Sequence, residues 1–491
     1  MNGARRVAFW MFLAGYLVLG TLFALYTPPW QVPDEPAHYN YIRALATERA
    51  LPVIEPGDYD QEYLSRLTAL RFPPGLSIAP LRYEDHQPPL YYLLAVPVFL
   101  LFGGALLPLR LFSLFLGALL LVVIYRLTCD LFPDPTAPSL SRSSVPWFPR
   151  FPFLPLAAVA WAAFLPQHLA IAAGVNNDIL AELLLTLSLW LALRPDPRPW
   201  TLGIVLGLCM LTKTTAYVAL PVALLALWWP RRGSPRAALA QTGRVLLAAL
   251  ILAGPWLIRN ISLYGWMDPL GLARHNAVVV GQPRTEEWLA QMGPTAFALA
   301  FLRTTFQSFW GQFGWMGVPM HPPVYLALAG ISLLLLVGLL GWTLDRRRPR
   351  LSAFQRRGLV LLTLSATLTS ASYIWYNLTF VQHQGRYLFP AIAPMAVGFA
   401  LALDWLAARG WRSTLLGLSL TALPLAMGLA LRRSALPLVG AGVLVLLILI
   451  LLSFRFPHRR PALVLGAWSF GMVLLNLYAL FWAIVPTLTE R

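Results

Sequence analysis

The sequence predicts an all-α, polytopic membrane protein of about thirteen transmembrane helices, with interfacial helices in its first outer loop. Three observations carry this. Of 491 residues, 58% are hydrophobic and only 12% charged, with mean hydropathy +0.65, whereas a soluble domain holds about 25% charged residues. The apolar residues fall in long unbroken runs, not in the alternation of a transmembrane β-barrel. The arginines gather at one set of run ends, as the positive-inside rule requires.

In chain order the runs lie near residues 7–26, 105–130, 153–174, 178–194, 199–212, 214–230, 243–259, 322–343, 357–377, 386–408, 413–431, 435–455 and 461–485. A bilayer crossing takes about 20 residues. The first run follows Arg5-Arg6. It is too long for a signal-peptide core and lacks a small-residue cleavage site, so it reads as an uncleaved span. The stretch 88–103 is apolar but only 16 residues long, which suits an interfacial or re-entrant helix. Runs 199–212 and 214–230 are also short and meet at Thr212-Lys213-Thr214. Two half-length or tilted spans meeting there keep Lys213 out of the middle of one long helix. Residues 132–152, rich in Pro and Ser, read as an inner linker.

With the N-terminus inside, 22 of the 37 basic residues but only five of the 20 acidic ones fall in inner segments, so the outer side is neutral. The formal charge of +17 is thus a topology signal, and the expected partner is the lipid bilayer, with no nucleic acid. The N-terminus is expected in the cytoplasm and the first loop outside it. One lysine against 36 arginines points to a GC-rich bacterial genome, hence to a bacterial inner membrane. Cys129 and Cys209 sit inside apolar runs and imply no disulfide framework. The organisation expected is a catalytic transmembrane module over residues 1–260 that includes the first outer loop 28–104, a second outer loop over 261–321, and a C-terminal transmembrane module over 322–491.

Chemistry gathers on the outer side. Pro33-Asp34-Glu35-Pro36-Ala37-His38 follows the first span. Asp34 is placed to N-cap a helix running to about Ala50, with Pro36 in its first turn, and His38, Tyr41, Ile42 and Leu45 fall on one face of it. Adjacent carboxylates at a helix start are favoured by the dipole and suit general-base work or metal binding; from the spacing alone a plain capping pair is the first reading. Glu84-Asp85-His86-Gln87 precedes the aromatic stretch at Pro88, either as chemistry or as a polar loop with an interfacial anchor. Asn177-Asp178 opens the fourth run, where Asp178 reads first as an N-cap, and Glu182 one turn deeper must face the bundle. Lys213, Arg259 and Arg386 stand at outer span ends, the depth at which a lipid phosphate needs cations; snorkelling or pairing with an outer acid is the competing reading. His38, His86 or His383 with Asp34 or Asp85 could hold a divalent cation, although no short ligand spacing supports one, so the metal stays unknown.

Taken together, Pro33-Asp34-Glu35, Glu84-Asp85-His86-Gln87-Pro88-Pro89-Leu90-Tyr91-Tyr92, Asn177-Asp178, Leu211-Thr212-Lys213 and Gln384-Gly385-Arg386-Tyr387 resemble the GT-C superfamily of membrane glycosyltransferases. The resemblance is to the protein O-mannosyltransferase and aminoarabinose-transferase branch and its allied bacterial families. It covers order and spacing over about residues 1–230. It implies a helical bundle with surface helices, a polyprenyl-phosphate-linked sugar donor reached from the outer leaflet, an inverting transfer to an acceptor hydroxyl on a glycan, lipid or protein, and Asp34 as base. Glu35 and Asp85 complete the implied catalytic set; His38, Glu84, His86, Gln87, Asn177, Asp178, Lys213, Arg259, Gln384, Arg386 and Tyr387 would bind substrate. Related families often carry Glu-Lys or Asp-His directly before the proline of the second motif. Here Glu84, Asp85 and His86 all remain open for that second role. A polytopic transporter or lipid-linked-sugar flippase shares the span count and the outer charges, but predicts inverted repeats; none is evident. A structural or assembly protein would need no acids paired with cationic span ends.

Overall fold

The computed structural model describes residues 3–133, 153–194, 197–229, 235–346, 350–430 and 436–489. The inner linker from residue 134 onward, and Arg142, Arg150, Arg231, Arg232, Arg347 and Arg348 of the inner charge, lie outside the described residues. In chain order the helices are α1 (Gly3–Tyr26), α2 (Glu35–Thr47), α3 (Gln61–Ala69), α4 (Leu90–Leu101), α5 (Leu106–Leu131), α6 (Leu154–Ala163), α7 (Pro166–Ala172), α8 (Asp178–Leu193), α9 (Pro199–Met210), α10 (Ala219–Trp228), α11 (Pro235–Tyr264), α12 (Leu272–Val278), α13 (Thr285–Trp310), α14 (Pro322–Leu344), α15 (Ala353–Asn377), α16 (Ile392–Ala407), α17 (Gly410–Ala430), α18 (Leu436–Arg455) and α19 (Arg460–Tyr478).

Among the described residues each predicted apolar run holds helix, but a count of thirteen spans is not confirmed. Among the described residues, eight helices are long and apolar enough to cross a membrane, or nine if α6 and α7 form one broken span. The predicted span 153–174 is bent by 65° between α6 and α7, where Pro166 opens α7 without an N–H to continue the ladder. The run 178–194 forms the 16-residue α8. The polar step at Lys213 ends α9 after 12 residues, and a 3-10 turn over Thr214–Val218 leads into α10. The stretch 88–103 yields the 12-residue α4, too short to cross. Gly103 and Gly104, both at positive φ, then turn the chain into α5.

The chain packs around α16, the most enclosed of the spans, with α6 and α14 beside it and α5 against α8. Arg357 ties α15 to α8 and α10: its Nη2 donates 2.9 Å bonds to the carbonyls of Ala192 and Ala226, at the ends of those helices. Carbonyls there lack helical partners, and a cation complements the dipole.

The two predicted outer loops contain helices. The first carries α2, α3 and α4. The second carries α12, the kinked α13 and a small hairpin of β1 (Gln312–Phe313) and β2 (Val318–Pro319). Between those strands, Trp315 donates from Nε1 to the Trp30 carbonyl at 2.9 Å and stacks on Phe72. The second loop is thereby docked onto the first.

Candidate active site

The site is built where α2, the 82–87 turn, the start of α8, the α9 break and the segment before α16 converge. Asp34 does precede α2, but its side chain makes no cap bond and its φ is +66°. A non-glycine residue in the left-handed region is uncommon, with Asp and Asn the most tolerant. Asp34 thus holds the N-cap position without the expected side-chain cap, and the carboxylate points elsewhere. It accepts 2.5 Å from Arg386 Nη2 through Oδ2 and 2.9 Å from the Tyr83 hydroxyl through Oδ1. This pair joins residues 352 positions apart, bringing the 322–491 region to the first loop. Burial opposes the Asp34 charge, yet the Arg386 guanidinium and the Tyr83 hydroxyl more than offset it and hold the carboxyl below its ordinary value.

Arg386 is itself held from behind. Its Nε donates 2.7 Å to Gln384 Oε1, and its guanidinium lies 5.2 Å from the Tyr387 ring. Gly385 donates from N to Ser308 Oγ at 2.7 Å. A Cβ on Gly385 would stand 2.4 Å from the Phe309 nitrogen, so only glycine admits the backbone of α13 this closely.

A second pair stands beside the first. Lys213 Nζ lies 2.5 Å from Asp178 Oδ1, their side chains 12% and 16% exposed. Asp178 is the first residue of α8 rather than its cap; the Asn176 side chain accepts from its backbone N–H instead. Asn177 bridges the elements, donating 3.3 Å bonds from Nδ2 to the Tyr92 hydroxyl and the Thr212 carbonyl. His38 Nδ1 pairs with the same Tyr92 hydroxyl at 2.8 Å. Burial, then the Lys213 charge, pushes its imidazole down to about 3, so it is uncharged at neutral pH. One turn deeper, Glu182 meets His168 at 2.8 Å inside the bundle.

The three contenders in the second motif separate. Glu84 faces Asp34, Lys213 and Asp178; burial first, then the Asp34 charge, pushes it up to about 7, and its Oε2 is sealed without a partner. Asp85 lies among other groups: Arg82 donates 2.9 Å from Nε to Oδ2, and Asp58 and Glu48 are its other charged neighbours. Burial pushes Asp85 up to about 7 as well. His86 packs against His275 with ring centres 4.2 Å apart, and burial drives it well below the ordinary value. The Gln87 carbonyl accepts from Tyr41 at 3.0 Å.

Two expected members are committed to the scaffold. Glu35 is fully enclosed: Arg110 donates to both its oxygens at 2.8 and 2.7 Å, and the Trp30 and Val175 N–H groups supply 3.0 and 3.2 Å bonds. Its carboxylate is saturated. Arg259 donates 3.1 and 2.6 Å from Nη2 to the Leu51 and Pro52 carbonyls and stacks over Trp256, so it pins the loop after α2. The sequence reading assigned no site role to Arg110, Tyr83 or Tyr92. An arginine inside the apolar run 105–130 was the available signal for the first; the tyrosines flank the second motif, where their spacing reads as an aromatic anchor. Among the described residues, no three His, Cys, Asp or Glu side chains converge to hold a metal ion.

No family model matches the sequence, and no curated protein matches it significantly. Solved structures resemble the fold, two of them of one protein. The crystal structure of ArnT from Cupriavidus metallidurans bound to undecaprenyl phosphate superposes with TM-score 0.56 at 15% identity, covering 96% of this chain and 76% of that one. The same protein in the apo state gives TM-score 0.57 at 16% identity, over 96% and 75% of the two chains. The long apolar helices make the chain a multi-pass membrane protein, and its fold is similar to that of ArnT.

Proposed function

We propose that the chain is an integral membrane glycosyltransferase that moves a sugar from a polyprenyl-phosphate donor to an acceptor hydroxyl, with inversion at the anomeric carbon. The reaction would take place on the outer face of a bacterial inner membrane, with the N-terminus in the cytoplasm. The observation that carries this reading is the meeting of Asp34 with Arg386, beside Lys213 and Asp178, at the mouth of an ArnT-like bundle. The ArnT structure with undecaprenyl phosphate supports a polyprenyl-phosphate donor by analogy of fold.

In this reading Asp34 takes the proton of the acceptor hydroxyl as its oxygen bonds to the anomeric carbon. The bond from that carbon to the phosphate oxygen breaks, and its electron pair leaves with the polyprenyl phosphate. That leaving group is already a stable anion, so it needs no acid. It needs cations fixed in a dry site, where they are worth most. Arg386 supplies a planar fork and Lys213 a point charge. Glu84, the second-motif acid that faces this cluster, accepts from a sugar hydroxyl. Glu35, Asp85 and Arg259 act as positioning residues through Arg110, Arg82 and the loop after α2. His38, Asn177, Gln384 and Tyr387 hold the walls; His86 and Gln87 hold the 82–87 turn.

A positioned base contributes roughly 10²–10⁴-fold. Asp34→Asn is the cleanest test, because Asn tolerates the left-handed backbone at this position. Transfer from a polyprenyl-phosphate sugar in proteoliposomes should fall at least 100-fold. Full activity in that variant would remove Asp34 from the reaction.

A further inference from the structure

The proposed reaction asks two things that the resting pair cannot give together. Arg386 must face a phosphate, and Asp34 must face a hydroxyl. At rest they face each other at 2.5 Å, with the Arg386 side chain 5% exposed and that of Asp34 21% exposed. An anion reaching Arg386 therefore has to take the place of a carboxylate oxygen. Building on the reading above, we propose that the Arg386–Asp34 pair is a latch: the donor phosphate displaces Asp34 from Arg386 and so delivers the base to the acceptor.

The geometry assigns the movement to Asp34. Arg386 is braced by Gln384 at Nε, and the neighbouring Gly385 is wedged against α13. Its Nη1 is sealed inside without a partner, closed to an incoming anion at rest. Asp34 has no cap bond to α2. Once the guanidinium is taken, the hydrogen bond from Tyr83 is what remains on its carboxylate. Lys213 repeats the design, since an incoming anion must also compete with Asp178 for it.

The exchange balances. A phosphodiester oxygen replaces Asp34 Oδ2 as acceptor from Arg386 Nη2, and Asp34 stays ionised. It takes the acceptor proton during transfer. Polyprenyl phosphate then departs, Asp34 gives its proton to solvent, and the ion pair closes again. Without donor, the base is neutralised by its own arginine.

The latch makes a prediction that a plain catalytic base does not. Removing the carboxylate removes an internal competitor for Arg386, so phosphate binding should tighten while transfer is lost. The apparent affinity of a site is reduced by the fraction of time it is competent. Binding of undecaprenyl phosphate would be measured for wild type and Asp34→Asn in nanodiscs. At least tenfold tighter binding by the variant is expected, and Arg386→Lys should bind more weakly than wild type. If Asp34→Asn loses transfer but binds no tighter, the latch is wrong and the base stands. If it transfers at full rate, the base reading itself fails. Asp34→Gly serves as a second variant: glycine occupies positive φ without strain, so misfolding does not blur the result, and it too should bind tighter.

Discussion

Asp34 and Glu35 are neighbours in sequence, and each holds one arginine, yet the two pairs are built for opposite purposes. Glu35 lies sealed between α1, α2 and α5. It accepts two bonds from Arg110 and two from backbone N–H groups, while Arg110 also donates to the carbonyls of Ala24, Thr27 and Pro28. This pair satisfies the carbonyls where α1 ends and the chain turns into α2. Asp34 has a strained backbone, a partly exposed carboxylate and two side-chain donors. Saturation marks a pair that should never open. A braced cation facing a partly exposed carboxylate with one other donor marks one that can exchange partners.

Breaking the Glu35 pair should therefore have the largest effect on folding. Removing one partner of a buried, hydrogen-bonded ion pair typically costs about 3–5 kcal/mol, because the other charge is left behind. Glu35→Gln and Arg110→Met should each reduce the yield of monodisperse protein and lower the thermal midpoint in detergent. The double variant Glu35→Gln/Arg110→Met should lie closer to wild type than either single, since no lone charge remains. Asp34→Asn, by contrast, should lose less stability, since the partly exposed Asn side chain still accepts from Arg386 and Tyr83, while losing transfer. Stable, active Glu35→Gln protein would erase the distinction.

Glu84 sharpens the comparison through pH. Its carboxyl is raised to about 7 by burial and by Asp34, so it is neutral on the acid side, and charge appears as pH rises through 7. That charge lies beside Asp34, where the donor phosphate must bind. Between pH 6 and pH 8 the donor KM of wild type should rise, by up to about tenfold for one unit of interaction. Glu84→Gln should flatten the profile. The stability signs also oppose. The raised carboxyl of Glu84 costs stability as pH climbs from its ordinary 4.5 toward 7. The depressed carboxyl of Asp34 contributes stability above its ordinary 3.8, lost as pH falls below that value. An unchanged KM profile in Glu84→Gln would mean that Glu84 does not face the phosphate.

Much of this was legible in the sequence because a membrane imposes simple rules. Long apolar runs and few charges set the helical class, and the polar step at Lys213 marked a real break between α9 and α10. The number of full-length spans was not legible. Hydropathy locates apolar residues but does not fix helix length, and Pro166 broke one run while Asp178 and Glu182 sit at the head of another. At the site, residue types were readable and partners were not. Asp34 looked like a cap because composition does not encode φ, and a left-handed backbone turned its side chain away from α2. Glu35 looked chemical because its arginine lies 75 residues away inside an apolar helix. Arg386 could be flagged from its place at a span end. Its meeting with Asp34 depends on how α13 packs against Gly385, which no local pattern states.

The smallest predicted effect isolates the last contact on the exchangeable carboxylate. Tyr83 donates 2.9 Å to Asp34 Oδ1. In Tyr83→Phe, Asp34 keeps Arg386 at rest and the latch still opens with donor, so the donor KM should change little. What is lost is orientation during transfer, when the phosphate has taken Arg386 from Asp34 and Tyr83 alone aims the base. A hydrogen bond to a charged group is worth roughly 1.5–3 kcal/mol. Part of this is returned here, because an Asp34 freed from a donor is also a stronger base. A fall in kcat of about three- to tenfold at constant KM is expected from steady-state transfer assays. A loss as large as that of Asp34→Asn would place the Tyr83 hydroxyl on the reacting atoms. A rise in KM without a fall in kcat would mean that Tyr83 serves the resting pair and leaves the base during transfer.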